Sequence, residues 1–140
     1  MVLSAGKLEV GQTFSASVVE DLKRTQIVQY AGASGDYNPL HTDEVFATQA
    51  AGYPSVFAHG MLTMGMTGRM VTDLVGDGRL TEFGGRFTSQ VYPGDDLTTT
   101  ARVKSITEAD GGPVVELSLS TVNQDGAEVF SGHATARLDP

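Results

Sequence analysis

The stretch Gly60-Met61-Leu62-Thr63-Met64-Gly65-Met66-Thr67-Gly68-Arg69-Met70-Val71-Thr72-Asp73-Leu74-Val75 is the most apolar part of the chain. Its methionines, leucines and valines cover most of a helix's circumference, which predicts a helix buried on nearly all sides. Gly65 and Gly68 lower its intrinsic propensity but let a sheet approach closely, and Arg69 and Asp73 have the spacing of a helical ion pair. The segment is too short and too charged to span a membrane. Its methionines, at helical spacing, read as adaptable core filler rather than as a cofactor or partner groove.

Downstream of Gly76 the period changes to two. Phe83, Gly85, Phe87, Ser89 and Val91 share one side of a strand that ends at Tyr92-Pro93-Gly94-Asp95. Leu97, Thr99, Ala101 and Val103 then alternate up to Asp110-Gly111-Gly112, and Val115, Leu117, Leu119 and Thr121 alternate up to Asp125-Gly126. These are hairpin signals. The last strand puts Phe130, Gly132, Ala134, Ala136 and Leu138 on one face, mostly small residues against which a helix can lie.

Upstream, Gln12 to Leu22 is rich in Thr, Ser, Val and Phe and reads as a strand. Thr25 is a candidate cap for a short helix marked by Ile27, Tyr30 and Ala31. Gly32 to Gly35 and the Asn38-Pro39 step should stop that helix and leave Asp36 to His41 in a loop. Thr42 or Asp43 can cap a second short helix with Val45, Phe46 and Ala50, ended by Gly52 and Pro54. Strand, helices, then four strands is an α+β arrangement: a largely antiparallel five-stranded sheet wrapped around the central apolar helix.

With 140 residues, 40% hydrophobic and 19% charged, the chain reads as one compact domain spanning 1–140. The formal net charge of −8 repels polyanions and argues against a nucleic-acid partner. The absence of cysteine removes disulfides, thiolate metal sites and a Cys nucleophile. No secretory signal is visible at the N-terminus, and a cytoplasmic location is the expectation.

Chemistry concentrates in Tyr30-Ala31-Gly32-Ala33-Ser34-Gly35-Asp36-Tyr37-Asn38-Pro39-Leu40-His41. Water attacking an electron-poor alkene needs a base for its proton and an acid for the carbanion-like carbon, and a carboxylate with an imidazole suffices. Asp36 and His41 supply those types, while Pro39 stiffens the turn and Asn38 can hold the loop in a supporting role. The alternative is structural: Asp36 makes an Asx turn and His41 caps the next helix. Ala58-His59-Gly60-Met61 adds a helix start, whose free N–H groups suit negative charge. The Gly60 N–H could receive a thioester oxygen as it gains enolate character. His59 is expected to support the helix start rather than transfer protons. His133, with no acidic neighbour in sequence, reads as a solvated or interface residue. A metal site of His41, Asp43 and His59 matches no helical ligand spacing, so no metal is expected.

Tyr30, Ser34-Gly35-Asp36, Asn38-Pro39-Leu40-His41 and Ala47 match the hydratase motif of the MaoC-like, (R)-specific enoyl hydratase branch of the hot-dog superfamily, which the chain resembles over nearly its whole length. The resemblance extends through Ala58 to Leu62 and is closest to bacterial (3R)-hydroxyacyl-thioester dehydratase subunits. It implies a hot-dog fold in which Asp36 and His41 jointly activate water and the Gly60 amide takes the thioester oxygen. Ala33 departs from the motif, where a larger aliphatic residue or Gly is usual. Gly68 stands where relatives often carry a supporting serine, with Thr67 beside it as a possible substitute.

The reading is reversible hydration of a trans-2-enoyl thioester to the (3R)-3-hydroxyacyl thioester in fatty-acid or related acyl metabolism. No cofactor is expected, because CoA or the acyl-carrier phosphopantetheine belongs to the substrate. An acyl carrier protein is a possible partner, and a homodimer or a heterodimer with a related hot-dog subunit is expected from unpaired sheet edges. Two alternatives stand beside it. A hot-dog acyl thioesterase would release free thiol, and a non-catalytic acyl-binding accessory subunit would bind without turnover.

Overall fold

The computed structural model describes residues 2–140. In chain order it contains strand β1 (Thr13–Val19), helix α1 (Arg24–Ser34), the short helix α2 (Pro39–Thr42), a π-helical turn (Phe46–Ala50) and helix α3 (Gly60–Val75). Strands β2 (Leu80–Phe87), β3 (Leu97–Ala109), β4 (Gly112–Val122) and β5 (Glu128–Arg137) follow. The sheet order is β1-β3-β4-β5-β2, and every neighbouring pair is antiparallel. Both edge strands, as well as β3 and β5, touch α3, so the sheet curls around that helix as expected.

The period-two patterns set the core. Leu97, Thr99, Ala101 and Val103 of β3 are buried, as are Val115, Leu117, Leu119 and Thr121 of β4, and Phe130, Ala134 and Ala136 of β5. Ala101, Val103, Val115, Leu117, Leu119, Ala134 and Ala136 cluster with Met70, Val71 and Val75 of α3, whereas Leu97 packs with Leu22, Ile27 and Ala58 in a second cluster. The Thr121 hydroxyl lies 2.7 Å from both the Thr67 and the Thr99 hydroxyls, so three buried side-chain oxygens satisfy one another. The Thr67 hydroxyl is therefore committed to a contact within the core.

Four expectations change. First, α3 is buried along one stripe only, Thr63, Thr67, Met70, Val71 and Val75, because the sheet covers one side of it. Of its methionines only Met70 is core; Met64 and Met66 are half-buried and Met61 is 55% exposed. Second, α1 starts before Thr25: Lys23 is the N-cap residue, and its N–H donates to the Gln26 side-chain oxygen at 2.8 Å. The helix runs through Gly32 and ends only at Gly35, whose φ of 76° a residue without Cβ adopts freely. Third, β2 ends at Phe87 although apolar alternation continues to Val91. The segment leaves the sheet there, and the Val91 carbonyl accepts from the Ala58 N–H at 2.7 Å instead. Fourth, His133 has an acidic companion: antiparallel pairing of β2 with β5 brings Glu82 Oε1 to 3.0 Å from its Nε2 on the exposed face.

Among the described residues no helix is long and apolar enough to cross a membrane.

Candidate active site

The site loop is built by a ladder of short polar side chains, each accepting from the backbone two residues on. The Asp36 N–H donates to Ser34 Oγ at 3.2 Å, the Asn38 N–H to Asp36 Oδ1 at 3.2 Å, and the Leu40 N–H to Asn38 Oδ1 at 3.0 Å. Successive turns of this kind reverse the chain tightly between α1 and α2. Asn38 is at once the last rung and the N-cap of α2, and Pro39 fills the first position, where no N–H is needed. The Asx turn at Asp36 is thus real, and it occupies only one carboxylate oxygen. His41 is not in a loop and caps nothing; it lies within α2.

A second strand of chain supports His41 from the other side. The Phe57 N–H donates to the Leu40 carbonyl at 3.2 Å, and the Ala58 N–H to that of Val91. The Phe57 carbonyl, so fixed, lies 2.6 Å from His41 Nδ1. A carbonyl only accepts, so Nδ1 carries the proton and Nε2 keeps a free lone pair. The Phe57 ring meets the His41 ring edge-on at 5.2 Å and packs against Tyr53 and Tyr92. Arg24 of α1 bonds Glu44, and this hydrogen bond holds the Glu44 carboxyl below the usual glutamate range. The pair ties α1 to the chain that follows α2.

Asp36, His41 and His59 converge, with one ligating atom from each within 4.8 Å of the others. Asp36 is exposed, His41 half-buried and His59 only 2% exposed. Asp43, the third member of the metal reading, is elsewhere: its Oδ1 accepts from the Phe46 N–H at 3.1 Å, the capping role foreseen for it. The stacked imidazoles, 3.9 Å apart and within 24° of parallel, hold their lone pairs in near-parallel planes that do not meet at a common point close to both rings. That geometry suits a tetrahedral ion poorly.

His59 is the N-cap residue of α3, yet its side chain makes no capping bond, and among the described residues no acceptor takes the Gly60 N–H. The first amides of α3 are therefore open to a ligand. A Cβ on Gly60 would lie 2.8 Å from the Phe87 ring, so this glycine leaves room for that ring. Beside Gly60 opens a cavity of about 300 Å³ bounded by Phe57, Thr63, Phe87, Ser89 and Val91. A groove of about 500 Å³ lies between β1 and α3, lined by Phe14, Val18, Met66, Met70 and Leu74, and neither it nor the cavity beside Gly60 is lined by Asp36, His41 or His59.

Asp36, His41, Asn38, His59 and Gly60 thus all fall in one region. Sequence reasoning missed Phe57 and Phe87. Phe57 contributes a carbonyl, which every residue has, so its identity carried no signal. Phe87 was legible only as the large partner of a glycine across an unknown register.

A MaoC-like domain model matches residues 6–124. The (R)-specific enoyl-CoA hydratase of Aeromonas caviae is 31% identical over 140 residues, spanning 97% of this chain and 99% of that protein. The 3-hydroxyacyl-thioester dehydratase Y of Mycobacterium tuberculosis is 46% identical over 69 residues, but these are 47% of this chain and only 24% of that longer protein. Among solved structures, the (R)-hydratase of A. caviae involved in PHA biosynthesis superposes with a TM-score of 0.81 at 28% identity, covering 96% of this chain and 99% of that one. R-hydratase PhaJ1 from Pseudomonas aeruginosa superposes at 0.79 with 28% identity, covering 96% and 84%. With a matching domain model over most of its length and a full-length relative above 30% identity, the chain belongs to the MaoC-like family of hot-dog hydratases and dehydratases.

Proposed function

We propose that this enzyme reversibly hydrates a trans-2-enoyl thioester to the (3R)-3-hydroxyacyl thioester, with Asp36 and His41 as its acid/base pair and the Gly60 N–H on the thioester oxygen. The observation that carries the assignment is the convergence of Asp36 and His41 beside the open start of α3.

With Nδ1–H given to the Phe57 carbonyl, His41 offers Nε2 to a water, and the second Asp36 oxygen can accept that water's other proton. Two acceptors fix the water and direct its oxygen lone pair toward C3 of the alkene. As the C3–O bond forms, electron density moves through C2 onto the thioester oxygen. A backbone donor aimed there stabilises the enolate-like transition state more than the ground state. The proton taken from water returns to C2, so atoms balance without electron transfer. CoA, or the phosphopantetheine of an acyl carrier protein, enters as part of the substrate.

Residues 1–140 act as one catalytic unit in this reading, in the cytoplasm, and the unit works as a pair, with itself or with a related hot-dog subunit. The open edges β1 and β2 support pairing, as do Met61 and Phe87, 55% and 49% exposed on either side of Gly60.

The test is loss of enoyl absorbance with crotonyl-CoA. Asp36→Asn and His41→Ala should each lower kcat by about 10²- to 10⁴-fold, the span of general acid–base catalysis, with unchanged circular dichroism. Near-normal turnover in either variant refutes the assignment. Release of free thiol instead of alkene consumption would identify a thioesterase.

A further inference from the structure

His59 touches both members of the pair. Its ring lies face to face with that of His41 at 3.9 Å. Its Nε2 lies 3.0 Å from the main-chain carbonyl of Asp36. Since that oxygen accepts, Nε2 carries the proton, and Nδ1 of the same ring holds a lone pair. That Nδ1 is buried and has no partner among the described residues.

A buried acceptor without a partner is destabilising, because it has lost its water without gaining a donor. Tyr30 also meets the ring edge-on at 4.8 Å, so a phenylalanine would fit the aromatic surroundings without that cost. What a phenyl ring lacks is the donor to Asp36. The site therefore keeps a polar ring where packing favours an apolar one, and the Asp36 peptide is what the polarity serves.

We propose that His59 is the positioning residue of the pair: its Nε2–H holds the Asp36 peptide while its face holds the His41 ring, so that one rigid side chain sets the separation of carboxylate and imidazole. The inference rests on the hydration reading for its consequence in turnover, but its geometry stands independently. His59 neither takes nor gives a proton in the reaction. It is anchored as the last residue before α3, so the same residue also aligns the pair with the Gly60 N–H.

Two measurements test this. Long-range ¹⁵N–¹H spectra of the wild-type protein should report opposite tautomers, Nδ1–H for His41 and Nε2–H for His59. The same tautomer in both, or free exchange between the two forms at His59, overturns the proposal whatever the enzyme's substrate. In kinetics, His59→Phe keeps the stack and removes the donor, and it should lower kcat by roughly 10²-fold, the scale of an ångström's misplacement, with KM within about threefold. His59→Gln carries an amide N–H near the Nε2 position and should recover about tenfold of that loss. Equal kcat in the Phe and Gln variants, or wild-type kcat in the Phe variant, refutes the positioning role. Absence of enoyl hydration in the wild type would instead refute the reading of the reaction and leave the spectra to decide on His59.

Discussion

Gly60 and Gly68 both lie on α3 and each receives a ring from β2: a Cβ would come within 2.8 Å of Phe87 at the first and 2.9 Å of Phe83 at the second. The two rings also flank Phe130, at 5.8 and 6.2 Å. The steric rule is the same, yet the surroundings differ. Phe83 is packed on the main core, whereas Phe87 is 49% exposed at the end of its strand and walls the cavity beside Gly60. Gly65, between them, has nothing within 4 Å of its Cβ position and faces solvent. One helix thus carries a glycine that opens a site, a glycine that seats a core ring and a glycine that does neither. A missing side chain acquires its meaning from what stands opposite.

The largest effect separating these three is expected at Gly60. In Gly60→Ala the Phe87 ring, free on its solvent side, can swing away, so stability should change little. The methyl group and the displaced ring then occupy the approach to the N–H, and kcat should fall by about 10- to 100-fold. Adding Phe87→Ala removes the steric conflict and tells the two causes apart. If activity stays low in the double variant, the Cβ itself obstructs the thioester oxygen, which is the expected result. Full recovery would mean that Gly60 serves only to seat Phe87, and the site and core glycines would then be alike.

Gly68→Ala should do the reverse, changing stability and sparing turnover. Phe83 is confined by core and by Phe130, and overpacking of such a ring costs about 1–3 kcal/mol, partly offset by about 1 kcal/mol from better helix propensity. A net loss of about 1 kcal/mol in urea unfolding is expected, with kcat per folded molecule within about twofold of wild type. Phe83→Leu in the same chain should restore most of the loss. A stabilised Gly68→Ala would show that the ring yields easily and that the contact is not a constraint. It also bears on the absent serine: any side chain at this position must first displace Phe83.

These distinctions were only partly legible in the sequence. The limits of α3 and the hairpins β3–β4 and β4–β5 could be read because apolar period and turn glycines are local signals. Residues 36 to 41 stood out as a candidate site through residue type, and Asp36 and His41 do converge. The burial of α3 could not be read, since apolar residues surround it while the sheet covers one stripe; that asymmetry depends on how far the sheet curls. The end of β2 was hidden because alternation continues to Val91 after the partner has changed from β5 to the Ala58 segment. Glu82 with His133, and Phe87 with Gly60, meet through tertiary placement that no local pattern encodes. Phe57 acts through its carbonyl, which composition never reveals.

Gly65 supplies the smallest expected effect and the reference for the other two. A methyl group there meets no atom within 4 Å, and the helix gains about 0.5–1 kcal/mol because alanine restricts the unfolded chain and suits the folded one. Gly65→Ala should therefore raise the urea midpoint slightly and leave kcat and KM unchanged. A loss of stability would place an unrecognised neighbour over this face. Because Gly65 lies on the exposed side of α3, as does Met61, a partner chain packed on that side is the physical candidate, and the loss should then grow as the protein is diluted. A concentration-independent gain would instead fix this face as open to solvent and restrict any pairing surface to the sheet edges and the rim around Gly60.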